Sequence, residues 1–194
     1  MRILGGDLKG KRILSPGNDR FRPTSSMVRE ALFNILPPLS GKTFLDIFAG
    51  TGSVGMEALS RDAASAVFVE RNKRLSRSLR INLLRCGFAG MCEVLTMGVE
   101  KALPALRKRK ATFDILFADP PYEEGMVKET LARLSDGILF AKEGVLIIQH
   151  SCREELKADY TGDLILNDQR KYGDTILSFL KFTNRSEESL WAEH

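Results

Sequence analysis

Tryptophan occurs once in the 194 residues, histidine twice and cysteine three times. Cys86, Cys92 and Cys152 are odd in number and show no CxxC spacing. That excludes a zinc ribbon or an iron–sulfur site and reads as reduced thiols in a cytosolic protein. His150 and His194 cannot build a histidine-rich centre, so no metal is expected. His150, at the end of a predicted strand, reads as structural. No stretch approaches the ~18 consecutive apolar residues of a membrane-spanning helix, so no membrane partner is expected. The start, from Met1 to Asp7, has a charge but no long apolar region, so no signal peptide is expected. No heptad seam is visible, and a monomer is expected.

Net charge is small, at +4, but unevenly placed. The first 30 residues hold seven basic side chains (Arg2, Lys9, Lys11, Arg12, Arg20, Arg22, Arg29) against Asp7, Asp19 and Glu30, while the other 164 residues carry 22 of each sign. A basic end suggests a polyanionic partner, most simply nucleic acid. The plainer reading is a basic solvated tail. Arg29 falls on a predicted helix, where clamping and structural roles are equally open.

The hydrophobic pattern predicts an α/β fold. Residues 3–13 read as a short hairpin with glycines in its turn. Thr24, Ser25 or Ser26 caps a helix running to about Leu36, with Val28, Leu32 and Ile35 at helical spacing and Pro37-Pro38 after it. Strands are predicted over 43–48, 64–70, 91–95, 113–119 and 144–149. Helices are predicted over 55–61, 72–86, 99–106 and 125–134. Short, continuously apolar strands alternating with helices argue for a mostly parallel sheet covered on both faces. Leu164–Leu166 and Ile176–Leu180 read as an antiparallel hairpin at the sheet edge, turning through Arg170–Asp174. The last residues are polar and expected to fray.

Two stretches carry chemistry. The first is Asp46-Ile-Phe-Ala-Gly50-Thr-Gly52-Ser-Val-Gly55, between a strand and a helix. It matches the dinucleotide fingerprint formally, because glycines let backbone approach a ligand and helix N-terminal amides face it. Asp46, however, would disfavour a pyrophosphate and suit a cation. Glu70 closes the next strand, placed to accept from ribose hydroxyls. A positively charged nucleoside, S-adenosylmethionine, fits both better than a nicotinamide cofactor. The second is Ala118-Asp-Pro-Pro-Tyr-Glu-Glu-Gly125. Two prolines hold the chain in a narrow range of shapes, and the next side chain is flat. That suits a rigid shelf on which a base lies. Taken singly, Asp119 would serve as a helix cap and Tyr122 as ordinary packing; together, at a strand end facing a ligand loop, they read as a site.

These residues resemble the RsmD-type 16S ribosomal RNA guanine-N2 methyltransferases, of the class I S-adenosylmethionine-dependent fold. The resemblance runs end to end and rests on Arg2-Ile-Leu-Gly-Gly6, Arg22-Pro-Thr-Ser-Ser-Met-Val-Arg-Glu-Ala-Leu-Phe-Asn34, Phe44 through Ser60, Glu70 with Asn82-Leu83, Asp119-Pro-Pro-Tyr122 and Tyr172-Gly-Asp-Thr175. Asp-Pro-Pro-Tyr is shared with DNA adenine methylases; the block from Arg22 to Asn34 is the more specific.

The resemblance implies a three-layer α/β/α Rossmann-like fold. Its seven-stranded, mostly parallel sheet has one antiparallel C-terminal strand and a small N-terminal β-hairpin beside it. Residues 1–22 would contact RNA, 23–183 form the methyltransferase domain and 184–194 a polar tail. Asp46, Phe48, Ala49, Gly50, Thr51, Gly52, Gly55, Glu70, Arg71 and Asp119 would hold S-adenosylmethionine. Asp119, Pro120 and Tyr122 would be catalytic. Lys9, Lys11, Arg12, Arg20, Arg22, Pro121, Tyr122, Arg170 and Tyr172 would take the substrate, a guanine amine conventionally at position 966 of 16S ribosomal RNA. The implied partner is an assembled or partly assembled 30S subunit in a bacterial cytoplasm. One departure is that relatives place an acid after the third strand, to meet the adenine amine, whereas Gly98 and Val99 bear none. Glu100 or backbone groups would substitute. Methylation of DNA adenine or protein glutamine, or a non-catalytic role in ribosome assembly, remain the alternatives.

Overall fold

Residues that alternate in the strands bury on opposite faces, and this alternation builds the molecule. The computed structural model describes residues 1–15, 25–122, 125–156 and 162–182. Besides a 3₁₀ turn at Ala89–Met91, its elements are α1 (Ser26–Ile35), β1 (Thr43–Asp46), α2 (Ser53–Ser60), β2 (Ser65–Val69), α3 (Lys73–Arg85) and β3 (Cys92–Leu95). Then come α4 (Val99–Lys108), β4 (Phe113–Ala118), α5 (Met126–Leu134), β5 (Phe140–Ser151), β6 (Leu164–Tyr172) and β7 (Thr175–Phe182). The strands form one sheet in the order β3-β2-β1-β4-β5-β7-β6. All neighbours are parallel except β7, which runs antiparallel to both β5 and β6.

Phe44, Ile115, Phe117 and Ile147 point to a core shared with α1, α2 and α3. Leu45, Leu116, Leu146 and Ile148 point to a second core beneath α4 and α5. The sheet is therefore covered on both faces, as fully apolar parallel strands require. The strand order reverses between β1 and β4. There the connections leave in opposite directions, and a crevice opens at the C-terminal strand ends.

Several boundaries differ from the sequence expectation. α2 begins two residues earlier than predicted, because Gly52 caps it at φ 78°. β5 extends over Phe140–Ser151; its first half holds Lys142 and Glu143, and its pairing with β4 is irregular between Phe113 and Ile115. β6 continues through Asn167–Lys171 to Tyr172, where a turn had been expected from Arg170. It is an edge strand with a register shift between Leu166 and Asp168, so its outer residues stay polar and hide the strand pattern. β7, between β5 and β6, is the inner strand of this pair. The expected tail at 184–194 lies outside the described residues.

The N-terminal segment closes on itself through the Arg2–Arg12 bridge. Ile3 and Ile13 join the α1–α3 core. Side chains of the main body grip its backbone. Glu57 Oε2 accepts from the Leu4 N–H at 2.7 Å, Ser60 Oγ donates to the Gly5 carbonyl at 2.7 Å, and the Asn82 amide both donates to and accepts from Leu14. Arg29 resolves as structural. It is fully buried, 3.7 Å from Glu57, and donates to the Arg2 carbonyl at 2.7 Å. Burial pulls its guanidinium below its ordinary value, and Glu57 opposes this. Ser25 caps α1 by accepting from the Val28 N–H.

Removing one partner of a buried pair strands the other charge, at about 3–5 kcal/mol. Glu57→Ala is therefore expected to lower unfolding stability by that amount in urea titration. A loss under ~1 kcal/mol, the scale of an exposed pair, would sink this account of the N-terminal anchor.

Candidate active site

The crevice at the β1/β4 reversal is a cavity of about 920 Å³. Three of the five carboxyl-bearing residues that line it stand at the ends of parallel strands. Asp46 ends β1, Glu70 follows β2 and Asp119 follows β4. Asp46 is 1% exposed, and its Oδ2 accepts from the Gly55 N–H at 3.1 Å. Burial pushes its carboxyl up to about 7, Gly55 opposes the shift, and Asp119 and Glu70 add repulsion. Glu70 is held by two backbone donors, the Gly50 N–H at 2.8 Å and the Asn72 N–H at 2.6 Å. Each of its oxygens keeps a further lone pair toward the cavity.

The glycine loop decides between ligand classes. The Gly50 N–H goes to Glu70, the Gly52 N–H to the Ala49 carbonyl and the Gly55 N–H to Asp46. The three glycine amides of the fingerprint are spent internally, and the carboxyl groups of Asp46, Glu70 and Asp119 line the same cavity. The site suits a cation bearing hydroxyls. Gly52 and Gly55 do not line the cavity. A side chain at Gly52 would meet Leu79, and one at Gly55 would meet Phe68, so both serve the close packing of α2 on α3 and β2. The other eight residues expected to hold the cofactor, including Phe48, Ala49, Thr51 and Arg71, do line it.

Asp119, Pro120, Pro121 and Tyr122, which follow β4, also line the cavity. Asp119 does not cap α5; that position is Gly125, without a side-chain bond. The Tyr122 hydroxyl accepts from Gln149 Nε2 at 2.9 Å. Tyr172, Gly173, Asp174 and Thr175 bring the β6–β7 turn to the rim. At the α4 end, Gly98 has no side chain, and the Glu100 carboxylate folds back into the space one would occupy, with its Cδ 2.6 Å from the position of a Gly98 Cβ. Glu100 lines the cavity, so an acid does reach the place left bare by Gly98 and Val99.

The basic residues are distributed differently from the sequence expectation. Lys9, Lys11 and Arg12 are exposed on the N-terminal segment and do not line the cavity. Arg170 pairs with Asp168 at 2.9 Å on the edge strand, also away from it. Arg20 and Arg22 lie outside the described residues; Ser15 and Ser25, the described residues on either side, both line the cavity. The sequence count missed α3, whose thirteen residues hold Lys73, Arg74, Arg77, Arg80 and Arg85 and no acid. A window-by-window charge count would have found it. Leu14 of the N-terminal segment bonds to Asn82 of α3, and Lys11 and Arg85 both draw down the Cys86 thiol against the stronger upward push of burial, so basic residues of the two elements stand side by side.

His150 is buried behind Gln149. Its ring nitrogens meet the Ser151 carbonyl at 3.0 Å and Ser178 Oγ at 2.8 Å. A carbonyl only accepts, so Nδ1 carries the proton and the Ser178 hydroxyl donates to Nε2. Burial lowers its pKa, and the group is a neutral strut between β5 and β7. Among the described residues, no cluster of three His, Cys, Asp or Glu could hold a metal, and no helix is long and apolar enough to cross a membrane.

The family model for conserved hypothetical protein 95 matches residues 1–181. The chain is 36% identical over 150 residues to ribosomal RNA small subunit methyltransferase D of Escherichia coli K12, covering 77% of this chain and 74% of that one. It is 33% identical over 141 residues to the protein of that name from Haemophilus influenzae, covering 70% and 71%. Among solved structures, a hypothetical protein of Thermus thermophilus superposes with a TM-score of 0.78 at 31% identity, covering 93% of this chain and 99% of that one.

Asp46 also makes stability depend on pH. Its unfolded pKa lies near the ordinary value of 3.8 and its folded value near 7. Between those values the unfolded chain releases a proton that the folded one keeps. Stability therefore falls as pH rises through that window and levels above it, by on the order of 4 kcal/mol. Relative to wild type, Asp46→Asn is expected to be more stable at pH 8 than at pH 4.5 in urea titration. Parallel curves at both pH values would contradict the buried carboxyl.

Proposed function

The chain belongs to the conserved hypothetical protein 95 family, the RsmD-type methyltransferases its motifs resemble, and we propose that it transfers a methyl group from S-adenosylmethionine to the exocyclic N2 amine of a guanine in 16S ribosomal RNA. The target is the guanine conventionally numbered 966, presented by an assembled or partly assembled 30S particle in the cytoplasm. The observation that carries this reading is the pairing of an acid-lined cavity, the amides of Gly50, Gly52 and Gly55 already engaged, with the Asp119–Tyr122 shelf across the β1/β4 reversal.

The residues present fit the cofactor. Asp46, Glu70 and Asp119 offer negative charge to its sulfonium and ammonium groups. Glu70 would take the ribose hydroxyls, and the Glu100 carboxylate would take the adenine amine. When bound, S-adenosylmethionine supplies an electrophilic methyl group.

The chain's own residues do the rest. A guanine amine attacks poorly because its lone pair is delocalised into the ring. The Asp119 carboxylate and the Pro120 carbonyl oxygen accept its two hydrogens, which favours a more tetrahedral nitrogen. Positive charge grows on that nitrogen in the transition state, Asp119 stabilises it, and the methylated nitrogen then loses one of its two protons to Asp119 or water. Pro120 and Pro121 fix the acceptors in place, so alignment is built in before the base arrives. Tyr122 stacks on the base, worth about 1–3 kcal/mol, once the base has left its own stack. Lys9, Lys11, Arg12 and the exposed face of α3 hold phosphates and fix register. Arg20 and Arg22, which lie outside the described residues, would add two further cations to this clamp.

Methyl transfer from labelled cofactor to unmethylated 30S particles, naked 16S RNA and duplex DNA tests the proposal, with nucleoside analysis of the product. The expected product is N2-methylguanosine from the particle, with kcat lowered about 100–1,000-fold in Asp119→Ala. Methylated adenine, or unchanged turnover in Asp119→Ala, would refute it. Glu100→Ala is expected to weaken cofactor binding about 3–10-fold in calorimetry, the scale of one hydrogen bond. Unchanged affinity would leave the adenine amine to the backbone.

A further inference from the structure

The Asp119 shelf can hold any amine; nothing in two acceptors distinguishes guanine from adenine or cytosine. Gln149 supplies the difference. Ala118 of β4 pairs with Ile148 of β5 in parallel register, which places Gln149 alongside Asp119, and both line the cavity. Gln149 is 4% exposed. Its Nε2 donates to the Tyr122 hydroxyl at 2.9 Å. Its other end, Oε1, is buried and accepts from no described residue. A buried amide oxygen without a donor costs about 1–3 kcal/mol. Such groups are paired in most native structures, and each exception calls for an explanation. In a substrate cavity, beside the residues that grip the reacting amine, the explanation is a donor that arrives with the substrate.

The chemistry names the donor. On a guanine's Watson–Crick edge, the N2 amine is followed by N1–H, a second donor. In adenine and cytosine, the ring nitrogen beside the amine is bare and presents a lone pair. An acceptor next to the amine-binding acceptors therefore satisfies guanine and repels the other two. Resting on the guanine reading above, we propose that Gln149 Oε1 accepts from N1–H of the target guanine and is the residue that selects this base. Its Nε2 holds the Tyr122 ring by the hydroxyl, so edge reading and stacking are set by one amide. Tyr122 and Gln149 come from different strands' ends, and their contact joins the β4 shelf to β5.

The test replaces the target guanine, in reassembled 30S particles, by 2-aminopurine. That base keeps the amine but has a bare N1 and no O6. Wild type is expected to prefer guanine by about 10–100-fold in kcat/KM, since a site built to pair a donor rejects an analogue lacking it. Gln149→Leu should lose most of that preference by slowing on guanine alone, with cofactor affinity unchanged in calorimetry. Gln149→Glu keeps an acceptor and should retain the preference. Tyr122→Phe, which leaves the amide free, should retain it as well.

A wild-type preference surviving in Gln149→Leu overturns the inference; Gln149→Met, of similar length, gives the same reading if the leucine variant fails to fold. Preference lost in Gln149→Glu as well means that the nitrogen reads the base, and the acceptor role is overturned. Preference lost in Tyr122→Phe assigns selection to the ring instead. No transfer by wild type to the guanine particle would overturn the functional proposal itself, which sets that failure apart from the others.

Discussion

The hydrogen bond from the Gly55 N–H to the buried Asp46 carboxylate is the constraint on which the site depends. It ties the end of β1 to the first turn of α2, and residues 47–52 must make their turn between these two fixed points. Gly52 enters α2 with a positive φ because nothing else fits against Leu79. Gly50 turns its amide to Glu70. The loop that results has its three glycine amides engaged and stands beside carboxyl groups. A helix N-terminus ordinarily attracts anions; here the fold reverses that preference by placing its acids first.

From this arrangement the two sides of the cavity take different tasks. The β1 and β2 side is a wall of carboxyl groups held by backbone amides. The β4 side is short, rigid and poor in donors, since Pro120 and Pro121 contribute none. β5 stands behind it and reaches the cavity through a single buried amide. The β6–β7 turn, carrying Tyr172, closes the rim. The strand reversal makes this division possible, because β1 and β4 are neighbours whose following segments leave toward opposite faces.

Much of this was legible in the sequence. The alternation of apolar strands and helices, the glycine loop, Glu70 and the Asp-Pro-Pro-Tyr shelf are local patterns, each set by neighbours a few residues away. What was hidden depends on distant partners. The start of β6 read as a strand, but its end from Arg170 read as turn because an edge strand needs no apolar outer face. Arg29 read as a candidate clamp because its acid, Glu57, lies far along the chain, on α2. Gln149 carried no signal in a strand of apolar residues; only the fold brings Tyr122 to one end of it and leaves the other without a donor. Glu100 was visible as the nearest acid, but its entry into the space over Gly98 is a matter of side-chain direction.

The main body holds the N-terminal segment largely by its main chain. Glu57, Ser60 and Asn82 bond to backbone atoms of Leu4, Gly5, Leu8 and Leu14. Only Ile3 and Ile13 enter the core from that segment as fully buried side chains. A socket that grips backbone is indifferent to most of the side chains it carries. The exposed Asp7, Lys9, Lys11 and Arg12 are thus free to drift, or to be rewritten by an engineer, without unseating the segment, whereas Gly6, packed on the Ser60 backbone at positive φ, is not. The fold presents an exchangeable strip held by main-chain bonds, so the surface it offers can be changed while the carboxylate-lined cavity stays as it is.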